Sequence, residues 1–381
     1  MHTNILLTLS AVITAFVLTY MFIPSIIKVA NIKHLFDSPA DRKSHYSAIP
    51  TLGGIGIFGG FLISFCLFAK FYHNREIPYI IAALCFVFML GAKDDIVELV
   101  PSKKFIGQIF AASVIVILGD IRLTSMYGLF GITFIDYVPS VLLSMVTIIF
   151  IINAFNIIDG INLLAGSIGV LMFISFGIWF YLYGFNDYSI LSAAMIGAIL
   201  AFLRYNYTPA QIFMGDSGSL SIGLLAGVLA IQFIEKNEIV LHSGKTVGIQ
   251  IVSSPAMAIA ILIIPIYDTL RAFTLRILRR RSPFHADRIH IHHRLLDLGL
   301  SHISVTAVLI IVNIGFVAVA YALQSLGNFY LMLVELGLAL SLTFLIYLFN
   351  SNRKSVPSTP AGSINTNISL PVNMSSEATR N

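Results

Sequence analysis

Long apolar stretches separated by short polar ones run along almost the whole chain. A helix needs about 20 residues to cross the roughly 30 Å apolar core of a bilayer. Eleven stretches qualify: residues 5–27, 51–71, 77–93, 105–119, 138–155, 163–183, 188–205, 217–235, 252–272, 304–323 and 328–350. Only 11% of the residues are charged, whereas about 25% is usual in soluble domains. The sequence therefore predicts an all-α polytopic membrane protein with about 11 transmembrane helices.

The distribution of Lys and Arg predicts the orientation, because these residues collect in cytoplasmic loops. With the N-terminus outside, 18 of the 23 basic residues fall on the cytoplasmic side. The other five are Lys70, Arg75, Arg122, Lys236 and Lys245. The opposite orientation would invert this ratio. An odd number of helices then places the C-terminus in the cytoplasm as well.

The apolar pattern divides the chain into two parts. Residues 1–350 are predicted to form a single integral membrane catalytic domain. Residues 351–381 are rich in Ser, Thr, Asn and Pro, a composition that cannot bury a core, so they are predicted to be a disordered cytoplasmic tail. Residues 120–137 alternate mildly and contain Gly turns, which predicts a short pair of strands on the outer face.

Polar side chains on the predicted cytoplasmic side fall into five stretches. In the first, a basic loop with Lys43 leads to Gly53-Gly54 at a helix start, where backbone N–H groups can approach an anion. Topogenic charge and helix-packing glycines are the alternative. The second is Asp94-Asp95 at a helix end. Adjacent carboxylates persist where a cation or proton offsets their repulsion, although a solvated helix end is the simpler interpretation.

The third and fourth stretches also place polar residues at helix ends. Asn153, Asn156 and Asp159 are spaced by three residues and therefore share one helix face. Such oxygen ligands suit Mg²⁺, and hydrogen bonding between helices is the alternative. Asp216 lies in a Gly-Asp-Ser-Gly sequence that opens the eighth apolar stretch. It can cap that helix or hold a metal together with phosphate oxygens.

The fifth stretch is the loop 276–303, which is dense in Arg and His. Its candidate residues are Arg288, His290, His292 and His293. Their spacing does not match the patterns of zinc sites and fits phosphate binding better, while the Arg run before them can also contact lipid headgroups. Carboxylates for a divalent cation, surrounded by cationic donors, are the layout of phosphoryl transfer. Its location at the membrane suggests a lipid phosphate and a cytoplasmic nucleotide as substrates.

Three of these stretches are specific in combination: Asp94-Asp95, Asn153-Ala-Phe-Asn156-x-x-Asp159-Gly, and Phe213-x-Gly-Asp216-Ser-Gly-Ser. In this order, over roughly residues 20–350, the chain resembles the polyprenyl-phosphate N-acetylhexosamine-1-phosphate transferase family. The fifth stretch, with Asp-Arg288-x-His290-x-His292-His293, resembles the WecA/TagO branch rather than the MraY branch.

The resemblance implies a reaction and its partners. N-Acetylglucosamine-1-phosphate would pass from UDP-N-acetylglucosamine to undecaprenyl phosphate, which yields UMP and initiates a lipid-linked cell-envelope glycan. The cofactor would be Mg²⁺, with Mn²⁺ as an alternative. The expected partners are the UDP-sugar, the polyprenyl phosphate lipid and the membrane, without nucleic acid, and a homodimer is left open. The expected location is the bacterial cytoplasmic (inner) membrane, with the active site at the cytoplasmic face.

The resemblance also implies residue roles. Asp94, Asp95 and Asp159 would be catalytic, and Asp216 and Asp159 would bind the metal. The substrate-binding residues would be Lys43, Asn153, Asn156, Phe213, Arg288, His290, His292 and His293, with Phe213 stacking on uracil. Family members commonly read Asp-Gly-x-Asp-Gly after the Asn pair, and this chain has Asn162 in place of the second Asp. The neutral amide of Asn162 can be neither a charged ligand nor a base.

Several alternatives stay open at the level of the sequence. The donor can be another UDP-N-acetylhexosamine, and the transfer can be one in-line attack or pass through a covalent intermediate. A membrane transporter is a distant alternative, since it would place acids near the midplane, whereas most acids here lie at one face. A noncatalytic lipid-binding scaffold would not need Asp94, Asp159 and Asp216 together.

Overall fold

A computed structural model of the protein describes residues 2–35, 49–70, 74–244, 249–282 and 289–354. These residues form thirteen α-helices. In chain order they are α1 His2–Lys33, α2 Gly53–Phe68, α3 Ile77–Ile96, α4 Pro101–Ser113, α5 Tyr137–Ile158, α6 Leu164–Leu182, α7 Asn186–Asn206, α8 Gly215–His242, α9 Ser254–Ile261, α10 Ile263–Leu278, α11 Ile291–Asp297, α12 His302–Leu323 and α13 Asn328–Lys354. A π-helical turn, Val114–Leu118, continues α4.

The lengths and apolar character of the helices identify a multi-pass membrane protein. Within the described ranges, nine helices are long and apolar enough to cross a bilayer. The stretch predicted at 252–272 falls on α9 and α10, whose axes differ in direction by 81°. If these two helices form one bent span, the number of candidate spans is ten. The stretch at 51–71 contains α2, an apolar helix of only 16 residues. Each predicted stretch thus coincides with helix, and the number that crosses the membrane stays a prediction.

Residues 120–136 contain no strand, so the predicted strand pair is wrong. They form extended segments and turns around a short 3₁₀ helix, Leu129–Gly131. The backbone N–H of Thr124 donates to the Glu235 carboxylate at 2.8 Å, and that of Leu123 donates to the Ser144 hydroxyl at 2.8 Å. Side chains of α8 and α5 therefore accept hydrogen bonds from backbone N–H groups that a pair of strands would use between its own two backbones.

Helix α8 forms the centre of the bundle and is buried through its whole apolar stretch. It packs against α2, α3, α5 and α6. A Cβ atom on Gly223 would lie 2.7 Å from the Cα atom of Ile152. Small residues allow such close helix contacts in membranes. By contrast, α1 and α13 are mostly exposed at the bundle surface, as expected of helices that face lipid.

Glycines also bring α2 and α3 directly onto the first turn of α8. A Cβ on Gly54 or Gly91 would lie 2.1 Å or 2.5 Å, respectively, from a backbone nitrogen of α8. Gly215 begins α8 with a φ angle of +74°, a conformation that favours glycine. The glycines at these positions therefore allow close packing, which draws the start of α2, the end of α3 and the start of α8 together at one end of the bundle.

The last helix, α13, continues past residue 350 and ends at Lys354. Residues 355–381, most of the predicted tail, lie outside the described residues.

Candidate active site

A polar cavity of about 850 Å³ opens where the ends of α3 and α5 meet the start of α8. Six residues singled out from the sequence line it: Asp94, Asp95, Asn156, Asp159, Phe213 and Asp216. Four of the six are carboxylates, contributed by three separate parts of the chain. The fold therefore brings together acids that are more than 120 positions apart at the extremes.

A lysine that the sequence interpretation missed joins two of these acids. The Lys104 ammonium lies 2.7 Å from Oδ2 of Asp94 and also contacts the Asp216 carboxylate. The backbone N–H of Leu99 donates to the other Asp94 oxygen at 2.7 Å. The ammonium offsets the repulsion between the two carboxylates. Lys104 follows Asp94 by ten residues, and the sequence pattern alone explains it as one of the basic residues that set the membrane orientation. Its position in the first turn of α4, close to the end of α3, is the signal that could have identified it.

Asp95 has a different task from its neighbour Asp94. Its Oδ1 accepts from the backbone N–H of Asp216 at 2.6 Å, and its Oδ2 accepts from the N–H and hydroxyl of Ser217 at 3.0 and 2.6 Å. A carboxylate in this position satisfies free N–H groups at the N-terminus of α8 and complements the helix dipole. Asp95 therefore fastens the end of α3 to the helix that carries Asp216.

We expect Asp95→Ala to lower the free energy of unfolding by about 1–2 kcal/mol, because it removes the acceptor for the free N–H groups of α8. Thermal unfolding of the purified protein in detergent would measure this loss. The matched control is Asp297→Ala, at a side chain that is 57% exposed and 4.0 Å from Arg294. Equal melting temperatures for the two variants would contradict a stabilising role for Asp95.

The end of α5 contributes an amide and an acid to the cavity. Asn156 donates from Nδ2 to Oδ1 of Asp216 at 2.9 Å and to the Ser219 hydroxyl at 3.0 Å, which fixes the Asp216 carboxylate. Asp159 follows directly after the helix. Burial, together with the negative charges of Asp216 and Asp95, raises the pKa of Asp159 well above its usual value.

Asn153 is not among the residues that line the cavity, although the resemblance implied a substrate-binding role. Its Nδ2 donates to Oε1 of Gln108 at 2.7 Å and to the carbonyl of Ile149 at 2.7 Å, and Gln108 donates back at 3.3 Å. This amide pair joins α5 to α4. The structure thus gives Asn153 the helix–helix contact that was the alternative interpretation of the third stretch.

Phe213 lines the cavity from the short segment before α8. Its N–H donates to the Pro50 carbonyl at 2.8 Å, and its carbonyl accepts from the N–H of Gly53 at 2.9 Å. These bonds pair the segment before α8 with the segment before α2. A half-buried aromatic ring that is held in this way offers a flat surface on which a base can stack.

The histidine-rich stretch lies beside the cavity, and its members differ in position. None of His290, His292 and His293 is among the residues that line the cavity. His290 is buried, with Nδ1 3.1 Å from Oδ2 of Asp268. His292 packs against Gly160: a Cβ on this glycine would lie 2.9 Å from Nε2 of His292. The His293 ring is 4.3 Å from that of His292, centroid to centroid.

Burial lowers the pKa of His292 to about 4, outweighing the opposite effect of Asp268, so its imidazole is uncharged at neutral pH. A further histidine that sequence reasoning missed, His302, lines the cavity from the start of α12. Two predicted substrate-binding residues, Lys43 and Arg288, lie outside the described residues.

Asn162, the position at which this chain departs from the pattern that it resembles, lines the cavity. Its Nδ2 donates to the Thr208 hydroxyl at 3.3 Å, and its carbonyl accepts from the Thr306 hydroxyl at 3.2 Å. The side chain therefore ties the turn after α5 to the loop after α7. A neutral amide in these contacts supplies no charge, which leaves Asp159 as the acid of this turn.

The donor set fits a magnesium ion that is held jointly with substrate. Among the described residues, no group of three or more His, Cys, Asp or Glu side chains has the geometry of a preformed metal site. Mg²⁺ does not require one, because it usually keeps several waters and is held by one or two carboxylates together with substrate phosphates. Asp216 and Asp159 supply such oxygens. A bound cation would also offset the charges that raise the pKa of Asp159.

Comparison with known proteins assigns this architecture to a family. The model of "Glycosyl transferase family 4" matches residues 77–234, which contain the four cavity acids. The chain is 31% identical over 346 residues to a Bacillus subtilis protein named "Probable undecaprenyl-phosphate N-acetylglucosaminyl 1-phosphate transferase", with 89% of this chain and 90% of that protein covered.

Two further relatives come from other bacterial groups. The "Undecaprenyl-phosphate alpha-N-acetylglucosaminyl 1-phosphate transferase" of Salmonella typhi is 32% identical over 303 residues, with 78% of this chain and 79% of the relative covered. The "Decaprenyl-phosphate N-acetylglucosaminephosphotransferase" of Mycolicibacterium smegmatis is 31% identical over 284 residues, with 69% of each chain covered. The chain therefore belongs to the polyprenyl-phosphate N-acetylhexosamine-1-phosphate transferases of glycosyl transferase family 4.

Proposed function

We propose that the protein transfers N-acetylglucosamine-1-phosphate from UDP-N-acetylglucosamine to undecaprenyl phosphate, with UMP as the second product. The observation that carries the proposal is the acid–lysine–acid bridge of Asp94, Lys104 and Asp216 in a cavity at the ends of apolar helices. Phosphoryl transfer depends mainly on positioning and on electrostatic stabilisation. Relatives at 31–32% identity are named for this reaction with undecaprenyl phosphate.

The bond changes define what each side chain has to do. An oxygen of the lipid phosphate attacks the phosphorus that carries the sugar, and the bond from that phosphorus to UMP breaks. Lys104 is placed to contact a phosphate oxygen, and Asp94 beside it positions the attacking lipid phosphate. Phe213 stacks on the uracil ring. Asn156 holds the Asp216 carboxylate in one orientation, so that the site is organised before the substrates bind.

Asp216 and Asp159 would hold Mg²⁺, or Mn²⁺ in its place. When bound, the ion supplies positive charge that neutralises the diphosphate oxygens during transfer. We expect chelation with EDTA to abolish transfer and a subsequent excess of Mg²⁺ to restore it, measured on the same preparation. Undiminished transfer after thorough chelation would contradict the assignment of these two carboxylates.

The cavity is proposed to face the cytoplasm, from which UDP-sugars arrive. Its elements belong to the side of the chain on which the sequence pattern places 18 of the 23 Lys and Arg residues, in loops and helix ends, and such basic segments are cytoplasmic in membrane proteins. We place the protein in the bacterial cytoplasmic membrane, because its helices are long and apolar enough to cross a bilayer and its relatives are bacterial. Light scattering of the purified protein in detergent would measure whether it forms a homodimer.

The decisive experiment uses purified protein, undecaprenyl phosphate, Mg²⁺ and UDP-N-acetylglucosamine labelled in the sugar. We expect label to become extractable into organic solvent and UMP to be released in equal amount. Parallel reactions with other UDP-N-acetylhexosamines test the donor. Failure with every donor, in protein that is folded and supplied with metal and lipid, would refute the proposal. Transfer from another donor alone would keep the reaction and change the sugar.

A further inference from the structure

Helix α10 buries polar side chains and exposes apolar ones, which is the reverse of a helix at the surface of a water-soluble protein. Its buried face carries Asp268, Thr269 and Arg276. Its exposed face carries Leu270, Ile277 and Leu278, which are 50%, 60% and 74% exposed. Ionisable side chains of membrane helices face the interior of the bundle, so the apolar face of α10 is the one that meets lipid.

Thr274 lies on the same exposed face of α10, and its hydroxyl does not need water. The hydroxyl donates to the carbonyl of Leu270, one turn earlier, at 2.8 Å. Threonine satisfies its hydroxyl in this way inside helices. The face from Leu270 to Leu278 can therefore lie against acyl chains without leaving a polar group unpaired.

The helix ends in a turn that exposes three successive arginines, Arg279, Arg280 and Arg281. The N–H of Arg281 donates to the carbonyl of Arg276, and that of Arg280 donates to the carbonyl of Ile277, both at 2.9 Å. These two bonds form a Schellman motif, in which the left-handed residue is usually glycine. Here that residue is Arg280, with a φ angle of +56°. An arginine in a conformation that favours glycine indicates that its charge has a use beyond the fold.

The order of surfaces at this helix end matches the order of groups in a phospholipid. The arginines follow Leu278 directly, so the apolar face gives way to positive charge between two neighbouring residues. Within the described ranges, none of the three arginines forms an ion pair. A phospholipid likewise passes from apolar chains to a phosphate, and the guanidinium group binds phosphate oxygens with two parallel hydrogen bonds.

We propose that the end of α10 is a binding site for anionic phospholipids. The acyl chains lie on the exposed face of the helix, and the headgroup phosphates bind Arg279, Arg280 and Arg281. The bound lipid holds this end of α10 at the membrane surface. The opposite face of the same helix holds His290 through Asp268 and Arg276, so the lipid also fixes the helix that supports the segment after it.

A single tryptophan at the end of α10 can report which lipid lies there. The chain has one tryptophan, Trp179, which is 5% exposed and whose indole N–H has no partner among the described residues. Trp179→Phe removes this signal, and Leu278→Trp adds the reporter. The full-length protein is placed in vesicles of equal parts phosphatidylglycerol and phosphatidylcholine, with bromine on the chains of one lipid or the other. The ratio of the two quenching effects gives the local preference for the anionic lipid.

We expect a preference for phosphatidylglycerol of about fivefold or more, because each basic residue near a membrane surface attracts anionic lipid by about that factor. Glutamine in place of all three arginines should remove the preference. The matched control places glutamine at three exposed lysines of the same predicted side, Lys28, Lys33 and Lys103. It removes an equal charge from α1 and α4 and should keep the preference.

Arg280→Gly separates lipid binding from stability and provides a second route if the triple arginine variant does not fold. Glycine adopts the left-handed conformation without steric cost, so we expect the melting temperature to stay at or above that of the reporter protein. The preference for phosphatidylglycerol should nevertheless fall by about two- to fivefold, because one of the three charges is lost.

The inference is overturned if the two brominated lipids quench the reporter equally, or if Arg280→Gly and the triple arginine variant keep the full preference. Loss of the preference in the lysine control would also overturn it, because the charge of the whole surface would then explain the result. A few mole per cent of undecaprenyl phosphate should leave the quenching unchanged. Displacement of brominated phosphatidylglycerol by this lipid would assign the arginines to the acceptor instead. The measurement contains no UDP-sugar, so its outcome does not depend on the proposed function.

Discussion

Asp216→Asn is expected to lower turnover by about 10²–10⁴-fold, the range for removing one essential electrostatic or acid–base group. The substitution keeps the side chain's volume and removes its charge. That charge contacts Lys104, accepts from Asn156 and lies at the first turn of α8. The proposed metal would lose a ligand, and Lys104 would lose one of its two counterions.

Initial rates over a series of Mg²⁺ concentrations measure this effect and show whether excess metal compensates for a weakened site. Asp297→Asn, at an exposed carboxylate of α11 that is not among the residues lining the cavity, controls for the loss of one negative charge. Near-wild-type turnover of Asp216→Asn across the whole series, including the lowest Mg²⁺ concentration, would remove Asp216 from the metal site. A normal melting temperature in detergent establishes that the loss is not caused by unfolding.

Asp94→Asn is expected to lower turnover by about 10²–10³-fold and to leave binding of the UDP-sugar almost unchanged. Asp94 holds the Lys104 ammonium at 2.7 Å, and its proposed partner is the acceptor phosphate, which arrives from the membrane. His292→Ala should fail in the opposite way, with weaker donor binding as its main effect. The two variants therefore separate the acceptor side of the cavity from the donor side.

Calorimetric binding of the UDP-sugar, combined with kcat at saturating donor, distinguishes these cases, because KM need not equal Kd. Loss of nucleotide binding in Asp94→Asn, with normal binding in His292→Ala, would reverse the assigned roles. Delipidated protein provides a test of the chemical route. Exchange of label between UMP and the UDP-sugar without acceptor lipid requires a covalent intermediate on the protein, whereas its absence favours direct attack by the lipid phosphate.

Much of the candidate site could be predicted from local patterns. Asp94, Asp159 and Asp216 stand at the ends of apolar stretches next to glycine or another acid, and all of them line the cavity. Lys104 and Asp268 could not be recognised in this way. In the sequence, Lys104 looks like one of the lysines that set membrane orientation, and Asp268 looks like a single acid within an apolar stretch. The partners that reveal their roles lie on other segments of the chain.

Four described residues of the predicted site lie outside the cavity lining, namely Asn153, His290, His292 and His293, and the same limit explains two of them. Asn153 shares a helix face with Asn156, as the spacing predicts, but α4 covers that face one turn deeper and pairs Asn153 with Gln108. His290 belongs to the predicted cluster, yet the buried Asp268 holds it behind His292. Spacing along one helix indicates which side chains share a face, and it carries no information about which neighbour covers each turn.

The sequence by itself determined the helical membrane architecture, because in a bilayer each helix must satisfy its own backbone hydrogen bonds over a length set by the membrane. Only the tertiary structure decided the tasks of Asp94 and Asp95. Neighbouring residues on a helix point about 100° apart, so one carboxylate meets Lys104 and the other meets the first N–H groups of α8. Two identical side chains differ in function here because the packing of α4 and α8 around α3 gives each a different partner.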